Sequence, residues 1–537
     1  MSPRRRLLAW APVGVAAAVL GWHALRFAFV TDDAYISFVF SRNLAEHGEL
    51  TFNLGAPVEG YTNFLWTVLL GGLMWLGARP EVTSQVLGIG CGAGTLVVTW
   101  RLMRRLLGPR DPWAYAPTML LAASSGFACW SSGGLETQLF TLLVTAAIHQ
   151  YVVGATAAVP ADERRPFAAM GALLALAAMT RPEGLLITAL LGGHRLGHNL
   201  WRERRLRPRA GEWLALAVFL GVWAPWFAWR SWYYGWPFPN TYYVKAHGPW
   251  QPARLATEMW SGGWHYLEVW LEQTRLRWAA LPALIGLLAG AAGSPRRIFA
   301  SVAALVLATY AVYTASVGGD FMGLHRFIMP MFVLAAMVVA LGLAWLTEYL
   351  PVAWRCAVLG VVLAAFAYTQ VGLTRDSLRW GNFRSDRGID TPAFLIAYTE
   401  DRATIGRAMA ACFRDDDFSI VGGAGAQPYL GRMRGVDVFG LVSERIAHEE
   451  PRTRARAGHT KFGRDELLAS YDPTFVFSCY DLHRSPKAPR LPCNEGFWLA
   501  RGYEKVTMHI PGLRERGEYY TFLAKRSRAF QCPGRVP

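Results

Sequence analysis

Acidic residues are scarce in this chain: 38 Asp and Glu stand against 54 Lys and Arg in 537 residues, a formal net charge of +16. Such an excess suits nucleic acid only when it forms a patch on one folded face. Here the basic residues fall in short loops between apolar runs and in the C-terminal third. Orientation in a membrane accounts for the loop charges better, and nucleic acid is not expected as a partner. Cysteine is sparse too, seven residues with no spacing that suits zinc. The Gly-rich segment GGAGAQPY (422–429) lacks the GxGxxG spacing followed by an acidic residue about 20 positions on, which excludes a dinucleotide site. No clear internal repeat is present, unlike many transporters. No convincing small-residue cleavage site precedes Arg26, so the apolar run after MSPRRR reads as an uncleaved first helix rather than a secretory signal.

What the chain has is apolar length. Hydrophobic residues make up 53% of it, in recurrent runs close to the roughly 17–25 residues that cross a hydrocarbon core as helix. Candidate spans are 8–29, 82–103, 113–128, 135–153, 167–180, 184–200, 212–229, 278–293, 299–316, 327–346 and 355–371, eleven in number. With Arg4, Arg5 and Arg6 in the cytoplasm, alternation brings Arg101, Arg104, Arg105 and Arg110 to the same side. Arg164 and Arg165 follow, then the 202–209 cluster, Arg296 and Arg297, and Arg355, as the positive-inside rule asks. The apolar segment 64–77 is short, and counting it as a span would reverse every later loop. It is expected at the outer interface with a helix over 34–46, making the first outer loop, 30–81, a structured lid. The Trp-rich stretch 255–272 is a second interfacial candidate.

An odd number of spans leaves the C-terminus outside, so the expected fold is an α-helical polytopic membrane protein, N-terminus in and C-terminus out. Residues 1–371 form the membrane domain and 372–537 a small extracytoplasmic α/β domain. Its expected strands lie at 418–423, 434–440, 473–480, 503–510 and 519–525, and its helices at 394–412 and 464–470. Cys412, Cys479, Cys493 and Cys532 lie in that domain, where two disulfides are permitted in any of three pairings.

Six polar motifs end the apolar segments on the outer side: TDDAY (31–35), GGLET (133–137), TRPEG (180–184), FPNTYYVK (238–245), GGDFM (318–322) and HRF (325–327). Asp32 and Asp33 follow the first span. Either they simply end a helix, or one of them serves as a general base, because a partly desolvated carboxylate near cations holds a proton well and stays ionised until used. Arg42 lies on the next helix. Glu136 could cap a helix N-terminus or line a site. Arg181 and Glu183 flank a proline turn, and the planar fork of Arg181 suits a phosphate. Asn240, Tyr243 and Lys245 belong either to an aromatic belt or to a sugar and phosphate contact. Asp320, His325 and Arg326 put a carboxylate, an imidazole and a guanidinium next to lipid, a combination that favours anion binding.

Taken together, DDAYISF with Arg42, VEGYTNFLW, GLET, RPEG, PNTYYVK, GGDFM with Arg326, and GAQPYLGRMRGVDVFGLVSERIAH (425–448) resemble the polytopic C-type (GT-C) glycosyltransferases. The resemblance is nearest to the branch with the terminal β-(1→2)-arabinofuranosyltransferases of actinobacterial cell walls. It implies a polyprenyl-phosphate sugar donor, possession of the catalytic Asp at Asp32 with Asp33 as neighbour, and a cell-envelope glycan as acceptor. It also implies a plasma-membrane enzyme whose active site opens on the extracytoplasmic face. Transfer would be an inverting displacement needing one base. Arg181, Lys245, His325 and Arg326 are the expected cations for the leaving phosphate. No cofactor is required and no metal site is expected, although acidic clusters leave divalent-ion assistance open. The competing reading is a lipid-sugar transporter or flippase without catalysis.

Overall fold

The structure, a computed structural model, describes residues 3–291, 294–379 and 388–536, with side chains from residue 9 onward. The side chains of Arg4, Arg5 and Arg6, from which the expected topology starts, therefore lie outside the described residues, as do the end of the 278–293 span and residues 380–387 of the expected C-terminal domain.

Among the described residues, six helices are long and apolar enough to cross a membrane: Pro80–Leu107, Thr137–Ala155, Ala210–Tyr234, Pro295–Ser316, Arg326–Leu346 and Val352–Ser377. A bent pair, Ala9–Phe27 and Asp32–His47, raises the number to seven if counted as one span. The two helices of that pair meet at 97°. The second, termed the surface helix, has Phe64–Trp75 packed beside it. There the Ser41 hydroxyl donates to the Thr67 carbonyl at 2.8 Å. The expected 113–128 span is not one helix. It breaks at Ser124, whose side chain caps the second piece by accepting from the Phe127 amide at 3.4 Å. The segments 167–180 and 184–200 are helices, Arg164–Thr180 and Glu183–Trp201, and 278–293 contains a helix of nine residues, Ala280–Leu288.

The bundle wraps around Arg326–Leu346, whose apolar window is 83% buried, while Val352–Ser377 is only 6% buried and presents its side chains outward. Close approach of backbones explains one glycine: a Cβ at Gly171 would collide with the Ala215 carbonyl where Arg164–Thr180 meets Ala210–Tyr234. The loop before Phe64–Trp75 is pinned to the bundle by a buried ion pair, Glu59 with Arg230, and by the Tyr61 and Tyr234 hydroxyls 3.0 Å apart. Burial pushes the Glu59 carboxyl up to about 7, against the pull of Arg230. Removing Arg230 leaves that carboxylate without its partner in a dry site, which costs about 3 kcal/mol or more. An Arg230→Met protein is therefore expected to unfold at a clearly lower temperature in detergent, and Glu59→Gln added to it should restore part of the loss.

The C-terminal region folds as a small α/β unit. Five strands, β1 (Ser419–Val421), β2 (Gly435–Asp437), β3 (Phe475–His483), β4 (Tyr503–His509) and β5 (Tyr519–Lys525), form one sheet in the order β2-β1-β3-β5-β4. β1 is parallel to β2 and to β3, whereas β5 runs antiparallel to both of its neighbours. Alternation along β3 sends Phe475 and Phe477 into one apolar cluster and Val476 into another on the opposite face, so the sheet is covered on both sides. The four cysteines pair as Cys412–Cys532 and Cys479–Cys493.

This unit sits directly on the surface helix. The Ala426 amide donates to Asp32 Oδ1 at 2.8 Å, and Arg42 Nη1 donates to the Tyr429 carbonyl at 2.7 Å. Asn53 exchanges two bonds with the Gly435 backbone, each 2.9 Å.

Candidate functional site

A cavity of about 560 Å³ opens where the surface helix, the helix ends of the bundle and the α/β unit converge. From residues 1–371 its charged lining comes from five separated stretches of chain: Asp33, then Glu136, then Arg181 with Glu183, then Lys245, then Asp320 with Arg326. Each sits at a helix end or, for Asp320, in the link between two helices, where the chain turns.

Most of these charges are already engaged. Arg181 Nη1 donates to Glu136 Oε1 at 2.9 Å, and its Nη2 donates to Glu183 Oε1 at 3.2 Å. Asn63 Nδ2 donates to the second Glu136 oxygen at 3.0 Å, while Asn63 Oδ1 accepts from Ser37 and Thr67. Arg326 Nε donates to Asp320 Oδ2 at 2.8 Å, and the Met322 amide donates to the other Asp320 oxygen. Asp33 and Lys245 are different. Neither makes a hydrogen bond or an ion pair with any described residue; Asp33 is half-buried, Lys245 is exposed, and both line the same cavity. Burial pushes the Asp33 carboxyl above its ordinary range, with Arg326 and Lys245 pulling it back. Loss of hydration within the cavity lowers the Lys245 ammonium, with Asp33 opposing.

The paired aspartates part company here. Asp32 does not line the cavity. It turns toward the α/β unit, accepts from Ala426, and lies under Gly423 and Gly425, where a Cβ would meet its carboxylate. Burial pushes its carboxyl up to about 6.

Four more residues expected at a substrate site point elsewhere. Arg42 stacks on the Tyr429 ring at 4.9 Å as well as bonding its carbonyl, which docks the two parts of the fold. Asn240 Nδ2 donates toward the Gly440, Leu441 and Ser443 carbonyls. The Tyr243 ring lies against His448 at 4.1 Å and Trp236 at 5.5 Å. His325, in left-handed backbone at φ 63°, bonds the Gln273 side chain at 2.7 Å behind the cavity. Burial pushes that imidazole down to about 3, so it carries no charge to offer an anion.

Conversely, the α/β unit supplies lining that sequence reasoning passed over. Arg452, Ala457, Gly458 and Thr460 face the cavity, in the 443–463 stretch from which no acceptor contact could be read. Trp250 and Trp260 add indole surface at the mouth. Among the described residues no three His, Cys, Asp or Glu side chains are grouped to hold a metal ion. Chemically, the arrangement offers one unpartnered carboxylate, one unpartnered ammonium, and a second cation, the Arg326 guanidinium, within electrostatic reach of both.

No family profile and no curated protein matches the sequence. Solved structures do match in fold. ArnT from Cupriavidus metallidurans, in a structure bound to undecaprenyl phosphate, superposes with a TM-score of 0.58 at 15% identity, covering 98% of this chain and 99% of that one. The archaeal oligosaccharyltransferase AglB from Archaeoglobus fulgidus, in complex with an inhibitory peptide and a dolichol-phosphate, gives 0.54 at 9% identity, covering 98% and 75%. The chain is thus a helical polytopic membrane protein of GT-C-like fold with a C-terminal α/β unit.

Proposed function

We propose that the chain is a membrane glycosyltransferase that moves a sugar from a polyprenyl-phosphate donor to a glycan acceptor. The observation that carries this reading is that an unengaged carboxylate, Asp33, and an unengaged ammonium, Lys245, line one cavity. The likeness in fold to proteins solved with undecaprenyl phosphate and dolichol-phosphate supports the donor class. Asp33 takes the proton from the acceptor hydroxyl. That oxygen bonds to the anomeric carbon from the face opposite the phosphate, the carbon–oxygen bond to the phosphate breaks, and polyprenyl phosphate leaves as an anion. One displacement inverts the anomeric centre. Lys245 and Arg326 offset the charge that develops on the leaving group. Asp32 holds the α/β unit in place above, a positioning role rather than the proton-accepting one. Arabinofuranose is the first donor sugar to test, on the motifs' resemblance, and the acceptor belongs to the cell envelope.

The proposed topology keeps eleven spans, N-terminus inside and C-terminus outside in the plasma membrane, with residues 1–371 as the catalytic membrane domain and 372–537 as the outer one. Its support is that cavity residues Glu183 and Ser316 lie at one end of the Glu183–Trp201 and Pro295–Ser316 helices and the Arg202 and Arg297 loops at the other.

The purified protein, supplied with a panel of polyprenyl-phosphate sugars and envelope glycan fragments, should release polyprenyl phosphate and form a product of inverted anomeric configuration. Absence of transfer from every such donor would remove the assignment. Two further outcomes are expected. Lys245→Ala should lower kcat/KM for the donor roughly tenfold to a hundredfold, the worth of a hydrogen bond to a charged group, measured by initial rates across donor concentration. The rate should also fall on the acid side. Asp33 must be ionised to accept a proton, and its raised pKa moves the loss to a pH above the usual carboxylate value of about 4. A pH profile of kcat/KM checks this.

A further inference from the structure

The Glu183–Trp201 and Pro295–Ser316 helices run side by side, and the catalytic cavity occupies one end of them, at Glu183, Tyr313 and Ser316. A second cavity, about 590 Å³, lies at their other end. A 19-residue helix at 1.5 Å per residue puts the two ends roughly 27 Å apart, close to the thickness of a hydrocarbon core. The second cavity therefore faces the opposite membrane surface.

No carboxylate lines it. Two guanidiniums do. The Arg202 side chain makes no hydrogen bond or ion pair with any described residue. Arg297 donates only to the Leu287 and Leu288 carbonyls, at 3.3 and 3.5 Å. The nearby acids do not neutralise them, because Glu203 and Glu212 are engaged by Arg195, Arg205 and Arg209. Other polar lining is mostly used up: His194 is held between the Tyr151 hydroxyl at 2.5 Å and the Ser301 hydroxyl at 2.8 Å. The remaining wall is apolar, with Leu190, Ile298 and Leu305. An open slot lies at Gly193, where an added Cβ meets nothing within 4 Å. Trp201, 84% exposed at the rim, suits the headgroup level.

We propose that this cavity binds an anionic phospholipid of the leaflet opposite the catalytic cavity. The phosphate lies between Arg202 and Arg297, and an acyl chain enters the slot at Gly193 along Leu190 and Leu305. The site has too few free hydrogen-bonding groups to grip a sugar, so a lipid-linked sugar is not its ligand. Occupancy braces the two helices at the end remote from the chemistry. This site stands apart from the transferase reading, since nothing in it touches the cavity of Asp33.

The test uses the full-length protein in nanodiscs of phosphatidylglycerol and phosphatidylcholine, transferred to detergent, with native mass spectrometry of the retained lipid. The wild type should retain phosphatidylglycerol in clear preference to phosphatidylcholine. Arg202→Ala, which removes an exposed side chain without partners, should weaken retention about fivefold, and Arg202→Ala with Arg297→Ala roughly thirtyfold, following the worth of each Arg near an anionic lipid. Gly193→Leu should block the slot and abolish retention while both arginines remain. Equal retention of the two lipids, undiminished phosphatidylglycerol in Arg202→Ala, or displacement of it by equimolar polyprenyl phosphate would each overturn the proposal. Because the readout is binding, a protein that transfers no sugar at all can still pass it.

Discussion

Replacing Asp33 by Asn should lower kcat by about 10²–10⁴-fold, the usual worth of a positioned general base. The substitution keeps size and shape and removes only the proton-accepting charge. Asp33 bonds to no described residue, so the folded state loses no contact and the unfolding temperature should hardly move. Asp32→Asn is the matching control. An Asn oxygen can still accept from the Ala426 amide, the bond Asp32 makes at 2.8 Å, so its rate should fall far less. Initial rates of sugar transfer, beside thermal unfolding of both proteins, decide the point. A collapse with Asp32→Asn and near-normal turnover with Asp33→Asn would give the base back to Asp32. Normal turnover in both would take the base away from this pair, whereas no transfer even by the wild type would favour a transporter.

The second large effect is on stability. Arg181 is held by two carboxylates, and the side chains of all three residues are at most 10% exposed. Arg181→Met would strand Glu136 and Glu183 beside each other in a place with little water. Removing one partner from a buried ion cluster costs about 3–5 kcal/mol, whereas replacing the whole cluster by neutral groups of similar volume is often close to neutral. The single variant should therefore unfold at a markedly lower temperature, and Arg181→Met with Glu136→Gln and Glu183→Gln should regain most of the loss. If the single variant matches the wild type, Arg181 is not the neutralising centre of the cluster, and its guanidinium would instead be free for a ligand.

Much of the scaffold could be read from the chain, because period-2 alternation and long apolar runs are local properties. The five segments expected as strands are five strands, and 64–77 and 255–272 are helices. The break at Ser124 is not legible because the stretch is apolar before it and again from Phe127 onward, and Ser and Gly also occur inside membrane helices. Within the site, sequence could place charged residues at helix ends but not say which way they turn. Arg42, Asn240 and Tyr243 have the chemistry of ligand-binding groups, yet they are satisfied by carbonyls and rings of the α/β unit nearly 200 or more residues away. The same holds for Glu59 and Arg230, separated by 171 residues. What marks Asp33 and Lys245 is the absence of a partner, and absence is a property of the assembled fold.

The α/β unit closes one wall of the cavity with Arg452, Gly458 and Thr460, and it rests on Asp32 through Ala426. This has a consequence for how the protein comes into being. A nascent chain with every transmembrane helix inserted still possesses an unfinished pocket, open on the side that the last third of the polypeptide will cover. On the proposed transferase reading, activity switches on late, once that segment has emerged, folded and settled, so a ribosome stalled before residue 460 leaves in the membrane a bundle whose pocket lacks one wall.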